Sequence, residues 1–272
     1  MSARVAVVQF PGVNCEVESV RALARVGLTA EVFRWTRPAA ELRAFDAYLL
    51  PGGWSYQDRV RAGVLAAKDP LVEVLAEGAA AGRPIIGICN GAQVLVEAGL
   101  VPGDGRVSLA LARNRMPQRG GYYTRWVYCR VEASHCLFTR HLEPGSVLPL
   151  PIAHGEGRLT SAKRGFVAAL VRSGQVPLRY CTAEGVDALE FPANPNGAES
   201  AGAAVCNAAG NVLAIMPHPE RTLDLGAIAR SVGGAWGRLR DQALTQASGE
   251  AFHDAPGLQI FEGLKRHLEV SV

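Results

Sequence analysis

Residues 84–98 read PIIGICNGAQVLVEA, and the reading of this stretch decides the fold. Residues 84–88 are a short apolar run rich in β-branched side chains, the pattern of a strand buried on both faces of a parallel sheet. Val94, Leu95 and Ala98 then mark one face of a helix. Cys89 stands at the join, with Gly87 and Gly91 two residues to either side. The spacing G-x-C-x-G is that of a nucleophile elbow with sulfur in place of the serine oxygen. Its glycines let strand and helix approach closely while one strained residue projects its side chain. The free N–H groups and positive dipole end of the following helix favour a thiolate and can bind a developing oxyanion. The competing reading is a packed core cysteine beside a tight turn, since free cysteine is among the most buried residue types.

Outward from the elbow, strands and helices alternate. Residues 5–10 read as a strand, the turn PGVN follows, and residues 16–26 place Val17, Val20, Leu23 and Ala24 on one helix face. AEVFRW (30–35) and FDAYLLPGG (45–53) predict two more strands, the latter ending in a sharp turn, and helical sequence is expected over about 58–81. Beyond residue 120, YYTRWVYCRVEA and GAAVCNAAGNVLAIMPHPE alternate as antiparallel or mixed strands do, with a hairpin about Ala209-Gly210. The expectation is an α/β fold: an open, mostly parallel sheet covered by helices on both faces, with an antiparallel extension and the active site at the carboxyl ends of the parallel strands. No repeat or linker divides the chain, so residues 1–272 are expected to form one domain. Within it, an extra helix is expected over 226–248, a loop over 249–256 and an amphipathic helix over 257–268.

A chain of 272 residues with 49% hydrophobic and 19% charged residues builds a sizeable core. Its net charge of +3 is small and no basic block stands out, which implies neither nucleic acid nor a membrane surface as partner. The start MSARVAVVQF runs straight into a strand, and no apolar run reaches the ~18 residues of a membrane span, so a cytoplasmic protein is expected. The six cysteines show no C-x-x-C pair and are expected to be reduced thiols with no metal site. Neither G-x-x-x-x-G-K-[ST] nor G-x-G-x-x-G occurs, so no nucleotide cofactor is expected in this chain.

A nucleophilic cysteine needs a base and a group that orients the base. MPHPER (216–221) offers both: prolines at 217 and 219 are expected to hold the segment extended, which puts His218 and Glu220 on one face. The carboxylate then fixes the imidazole tautomer and leaves the other nitrogen for the thiol proton. His154, with Glu156 two residues on in PIAHGEGR, is a second candidate or part of a binding loop. Cys15 also follows a strand and precedes a helix but lacks flanking glycines, so its expected role is structural or at the rim of the site. The PGG turn at 51–53 approaches a ligand closely, and the N–H groups of Gly53 and Asn90 are candidates for an oxyanion hole.

GICNGAQ resembles the G-x-C-x-G-x-Q nucleophile motif of class I, triad-type glutamine amidotransferases, whose sheet is flavodoxin-like, and PHPE resembles their catalytic His-x-Glu. FPGVNCE, PGGWSYQDRVRAG, PIAHGEGR, RYC, ANPNG and CNAAGNVLAIMPHPER are similar, in this order, to the glutaminase-subunit family of phosphoribosylformylglycinamidine synthase. The similarity runs from about residue 4 to 222 and resumes in GLQIFEGL. It implies hydrolysis of glutamine to glutamate and ammonia, with ammonia delivered to a separate formylglycinamidine ribonucleotide synthetase subunit (PurL). That partner would use ATP and magnesium to convert formylglycinamide ribonucleotide in de novo purine biosynthesis; a small third subunit (PurS) is left open. Carried over, Cys89 is the nucleophile, His218 the general base, Glu220 the orienting carboxylate, Gly53 and Asn90 the oxyanion hole, and Gln93 part of the glutamine pocket. The sequence departs from that pattern at Trp54, where Phe is usual, at Gln57, where Gly is common, and at Ala92, where Phe is common. The segment 226–256 is longer than the pattern and reads as an insertion.

Overall fold

In the computed structural model, which describes residues 3–246 and 255–270, the parallel half of the sheet is built from five strands. They are β1 (Arg4–Gln9), β2 (Thr29–Arg34), β3 (Ala47–Leu50), β4 (Ile85–Ile88) and, from far along the chain, β11 (Val212–Ile215). Their order is β2-β1-β3-β4-β11 with every neighbour parallel. Strands β3, β4 and β11 are buried along their whole length, as the continuous apolar runs require.

The chain steps one way from β1 to β2 through α1 (Glu16–Arg25), then reverses past β1 to β3. It continues through α2 (Pro70–Ala80) to β4 and through α3 (Asn90–Glu97) towards β11. Because parallel crossovers are right-handed, this reversal sends α1 to one face and α2 and α3 to the other, and it opens a crevice at the carboxyl ends of the strands. The last helix, α6 (Leu258–Val270), packs beside α1.

The antiparallel extension continues from β11. It comprises β10 (Gly202–Cys206), β9 (Leu178–Cys181), β6 (Tyr123–Val131) and β7 (Val147–His154), giving nine strands in order β2-β1-β3-β4-β11-β10-β9-β6-β7. The β10–β11 hairpin turns at Gly210, whose φ of +77° suits a residue without a β-carbon. β5 (Ala110–Arg113) and β8 (Glu156–Thr160) form a separate two-stranded sheet. The remaining helices are α4 (Phe166–Arg172) and α5 (Gly234–Gln246).

Two expectations change. Residues 58–81 are not one helical stretch: short 3-10 turns at Ser55–Asp58 and Ala66–Lys68 precede α2, which begins only at Pro70. Asp69 caps it by accepting from the Leu71 N–H at 3.0 Å, and Pro70 sits in its first turn, a start signal present in the sequence. The helix expected within 226–248 begins at Gly234, after a 3-10 turn at Leu225–Ala227. Leu225, Ile228 and Val232 pack with Trp126, Tyr128 and Trp236 over the antiparallel extension, and Trp236 Nε1 donates to the Val147 carbonyl at 2.7 Å. Most of the loop expected at 249–256 lies outside the described residues.

Candidate active site

Cys89 has φ +51° and ψ −103°, a conformation that costs a residue with a β-carbon of order 1–3 kcal/mol. The strand pairing maintains it, with the Cys89 N–H donating to the Ile215 carbonyl at 2.8 Å. The flanking glycines are sterically required: a β-carbon on Gly87 would lie 2.5 Å from the Gly91 carbonyl oxygen, and one on Gly91 would overlap the Leu50 carbonyl. Cys89 is thereby presented at the carboxyl edge of the sheet, at the N-terminus of α3.

His218 and Glu220 arrive at the same edge from the end of β11. The segment is not extended as expected: Pro219–Arg221 forms a 3-10 turn, closed by the Thr222 N–H donating to the Pro219 carbonyl at 3.1 Å. The turn still brings the pair together, with His218 Nδ1 and Glu220 Oε1 2.5 Å apart and both residues buried. Burial opposes protonation of His218, but the Glu220 carboxylate and then the Cys89 and Cys15 thiols outweigh it and raise the imidazole pKa well above its usual range. Nε2, the other ring nitrogen, has no hydrogen-bond partner among the described residues. Gly52 shows how tightly these groups gather: a β-carbon there would stand 2.8 Å from His218 Cε1, 3.2 Å from Cys15 Sγ and 3.5 Å from Cys89 Cβ.

Cys89 and His218 open onto a cleft of about 190 Å³, lined also by Gly53, Gln93, His154 and Glu156. This is below the ~300–1,000 Å³ of pockets for drug-sized ligands, so it suits a small molecule. Asn90, 1% exposed, lies behind the lining, where its side chain accepts from the Ser55 N–H at 3.0 Å and donates to Gln93 Oε1 at 2.9 Å. Gln93 in turn donates to the Glu156 carbonyl at 2.6 Å. The elbow, the PGG turn and the PIAHGEGR loop are thus tied into one network.

Cys15 is within the site, 1% exposed, with Arg221 Nη2 donating to its sulfur at 3.0 Å. Among the described residues, Cys15, His218 and Glu220 are the one group whose metal-ligating atoms lie within 4.8 Å of one another. The Glu220–His218 bond uses Nδ1 and Oε1, and the Arg221 guanidinium donates to the Cys15 sulfur, while among the described residues His218 Nε2 and Glu220 Oε2 have no partner. The sequence motifs did not mark several of the lining residues as parts of a site, among them Arg221, Asp58 and Tyr122. Arg221 and Asp58 lie within quoted motifs without a role of their own there, whereas Tyr122, stacked on Trp54 with ring centroids 6.1 Å apart, carried no local signal.

A strained cysteine elbow, a buried His–Glu pair and a small polar cleft at the switch point of an α/β sheet define a class. The chain belongs to the CobB/CobQ-like glutamine amidotransferase domain family, whose model matches residues 2–252. Within this class its relatives are PurQ subunits of phosphoribosylformylglycinamidine synthase. That of Methanothrix thermoacetophila is 45% identical over 274 residues, covering 98% of both chains. That of Thermomicrobium roseum is 45% identical over 233 residues, covering 85% of this chain and 90% of the relative. The structure of PurLQS from Thermotoga maritima contains a chain 30% identical in sequence that superposes with a TM-score of 0.71, over 98% of this chain and all of that one. Among the described residues no helix is long and apolar enough to cross a membrane.

Proposed function

We propose that this chain is the glutaminase subunit of a phosphoribosylformylglycinamidine synthase, hydrolysing glutamine and passing the ammonia to a PurL-type synthetase. The observation that carries the reading is the His218 Nδ1–Glu220 Oε1 bond of 2.5 Å beside the strained Cys89, in one cleft. Cys89 Sγ attacks the carboxamide carbon of glutamine while His218 Nε2 takes the thiol proton. Glu220 holds the tautomer and stabilises the imidazolium. The tetrahedral oxyanion is met by the N–H groups of Gly53 and Asn90. Collapse expels ammonia, which takes its proton from His218, and leaves a glutamyl thioester. Water, deprotonated by His218, then attacks the thioester carbon, releases glutamate and restores the thiol.

The chain is proposed to need no cofactor or metal of its own, ATP and magnesium being used on the partner, with PurS as a further member of the complex. It acts in the cytoplasm as one amidotransferase domain over residues 1–272, with 226–256 as an insertion and 257–268 in the final helix. The test is a glutaminase and synthase assay of the complex carrying Cys89→Ala. Glutamine-dependent synthesis should vanish while synthesis from added ammonium salt persists. Glutamine hydrolysis above a few per cent of wild type would overturn the assignment of Cys89.

A further inference from the structure

The mechanism leaves two buried groups beside His218 without a role. The first is Glu220 Oε2, which has no hydrogen-bond partner among the described residues, although a carboxylate removed from water normally has both oxygens satisfied. Arg221 Nε stands 4.0 Å from the other oxygen, Oε1, too far for a hydrogen bond. The second is the buried Cys15 thiol, whose sulfur donates to Asn14 Oδ1 at 3.3 Å and accepts from Arg221 Nη2 at 3.0 Å.

Cys15 Sγ, one imidazole nitrogen of His218 and one carboxylate oxygen of Glu220 lie within 4.8 Å of one another. Tetrahedral Zn²⁺, bound at about 2.0–2.3 Å, sets its ligands about 3.3–3.8 Å apart, so side-chain movements of about 1 Å close the set. Thiolate, imidazole and carboxylate are the ligand types that zinc takes, and a thiolate discriminates against Mg²⁺, which takes oxygen. Arg221 is the cation that opposes entry. Its Nη2 is also 3.5 Å from Glu18 Oε1 and its side chain is partly exposed, so the guanidinium can turn from Cys15 to Glu18. Cys15 and His218 both line the cleft, which gives the ion its path in.

We propose that Cys15, His218 and Glu220 form an inhibitory site for a thiophilic divalent cation, Zn²⁺. The ion stops hydrolysis whichever ring nitrogen it takes, because Nε2 is the base and Nδ1 is the atom that Glu220 holds. Binding releases the Cys15 thiol proton to solvent. The inhibition rests on the glutaminase reading, whereas the binding stands on the geometry of the three ligands.

The test titrates the complex with Zn²⁺, and the full chain alone with Co²⁺ as a coloured substitute for zinc. Zn²⁺ should abolish glutamine-dependent synthesis and spare synthesis from added ammonium salt, which bypasses the triad but still needs the partner and its Mg²⁺. In Cys15→Ser, where serine remains a good N-cap for α1, the half-inhibitory Zn²⁺ concentration should rise at least about tenfold. Co²⁺ should give a thiolate-to-metal charge-transfer band with the wild type and with Cys89→Ala, and none with Cys15→Ser. Equal zinc sensitivity of wild type and Cys15→Ser, or a cobalt band lost in Cys89→Ala and kept in Cys15→Ser, would overturn the site. Loss of both syntheses at one Zn²⁺ concentration would assign the inhibition to the partner and overturn it too. If the metal-free wild-type complex does not hydrolyse glutamine, the glutaminase reading fails, and the cobalt spectra still decide the site.

Discussion

His218 Nδ1 and Glu220 Oε1, 2.5 Å apart and removed from solvent, form the shortest polar link in the candidate active site. In a buried pair the carboxylate's charge, rather than its mere presence as an acceptor, raises the imidazole's affinity for a proton. Glu220→Gln keeps the shape and loses that charge. It is expected to lower kcat by roughly 10²- to 10⁴-fold, less than Cys89→Ala, because orienting groups cost less than nucleophiles. Steady-state glutaminase rates of the two variants in complex with the synthetase check this ordering.

The turn carrying that pair is buttressed from the far end of the chain. The Gly257 N–H donates to the Thr222 carbonyl at 3.1 Å, and a β-carbon on Gly257 would overlap both the Pro219 carbonyl and Thr222 Oγ1. Gly257→Ala must therefore displace the turn or the start of α6. A shift of about 1 Å in Glu220 or His218 is worth about 10² in rate. The expected result is a loss of that size in kcat with far-UV circular dichroism preserved; full activity would show that the turn does not depend on α6.

How much of this was legible in the sequence depended on how local each cause was. The elbow was readable because its glycines and cysteine lie within five residues and answer to one steric problem, the overlap of Gly91 with the Leu50 carbonyl. His218 and Glu220 meet in a hydrogen bond, as their spacing implies, but on a turn rather than on extended chain, because the Thr222 N–H, beyond the two prolines, closes onto the Pro219 carbonyl. The long helical stretch at 58–81 failed for a related reason. Gly63, at φ +78°, packs against the backbone of Gln93 and Val94, so tertiary contact rather than local propensity shapes the segment. Tyr122 was invisible because its place over the cleft depends on a hydrogen bond to the Ala153 carbonyl, 31 residues away.

Asp58 gives the site a pH signature. Its pKa of about 6 arises from burial and then from Glu156, while the Asn90 amide that faces it pulls the other way. If the anion binds substrate, kcat/KM for glutamine should fall as pH drops through about 6, since protonation removes the charge. In Asp58→Asn this acid limb should disappear, leaving whatever limb His218 contributes. A pH–rate profile that keeps an unchanged limb near 6 in the variant would assign it elsewhere.

The segment that carries Asp58 is also the strained part of the cleft's rim. Tyr56, Gln57, Asp58 and Val60 have φ of 52°, 61°, 51° and 72°, and left-handed backbone costs a residue with a β-carbon roughly 1–2 kcal/mol. Trp54 and Val60 in the same turn are exposed. Strain of this kind collects at ligand clamps and at switch segments, and for this turn a second conformation is expected in the complex with the synthetase, whose docking moves the PGGWSYQ turn and completes the oxyanion hole. The isolated chain should accordingly be a poor glutaminase that its partner stimulates. Gln57→Gly separates the effects, since among the described residues the Gln57 side chain bonds only to the exposed Arg59, and glycine relieves the strain at a net gain of about 1 kcal/mol. The variant should melt at a higher temperature and, because its resting state is the one stabilised, should need about fivefold more synthetase for half-maximal stimulation. A gain in melting temperature with unchanged stimulation would show that the turn is strained but does not switch.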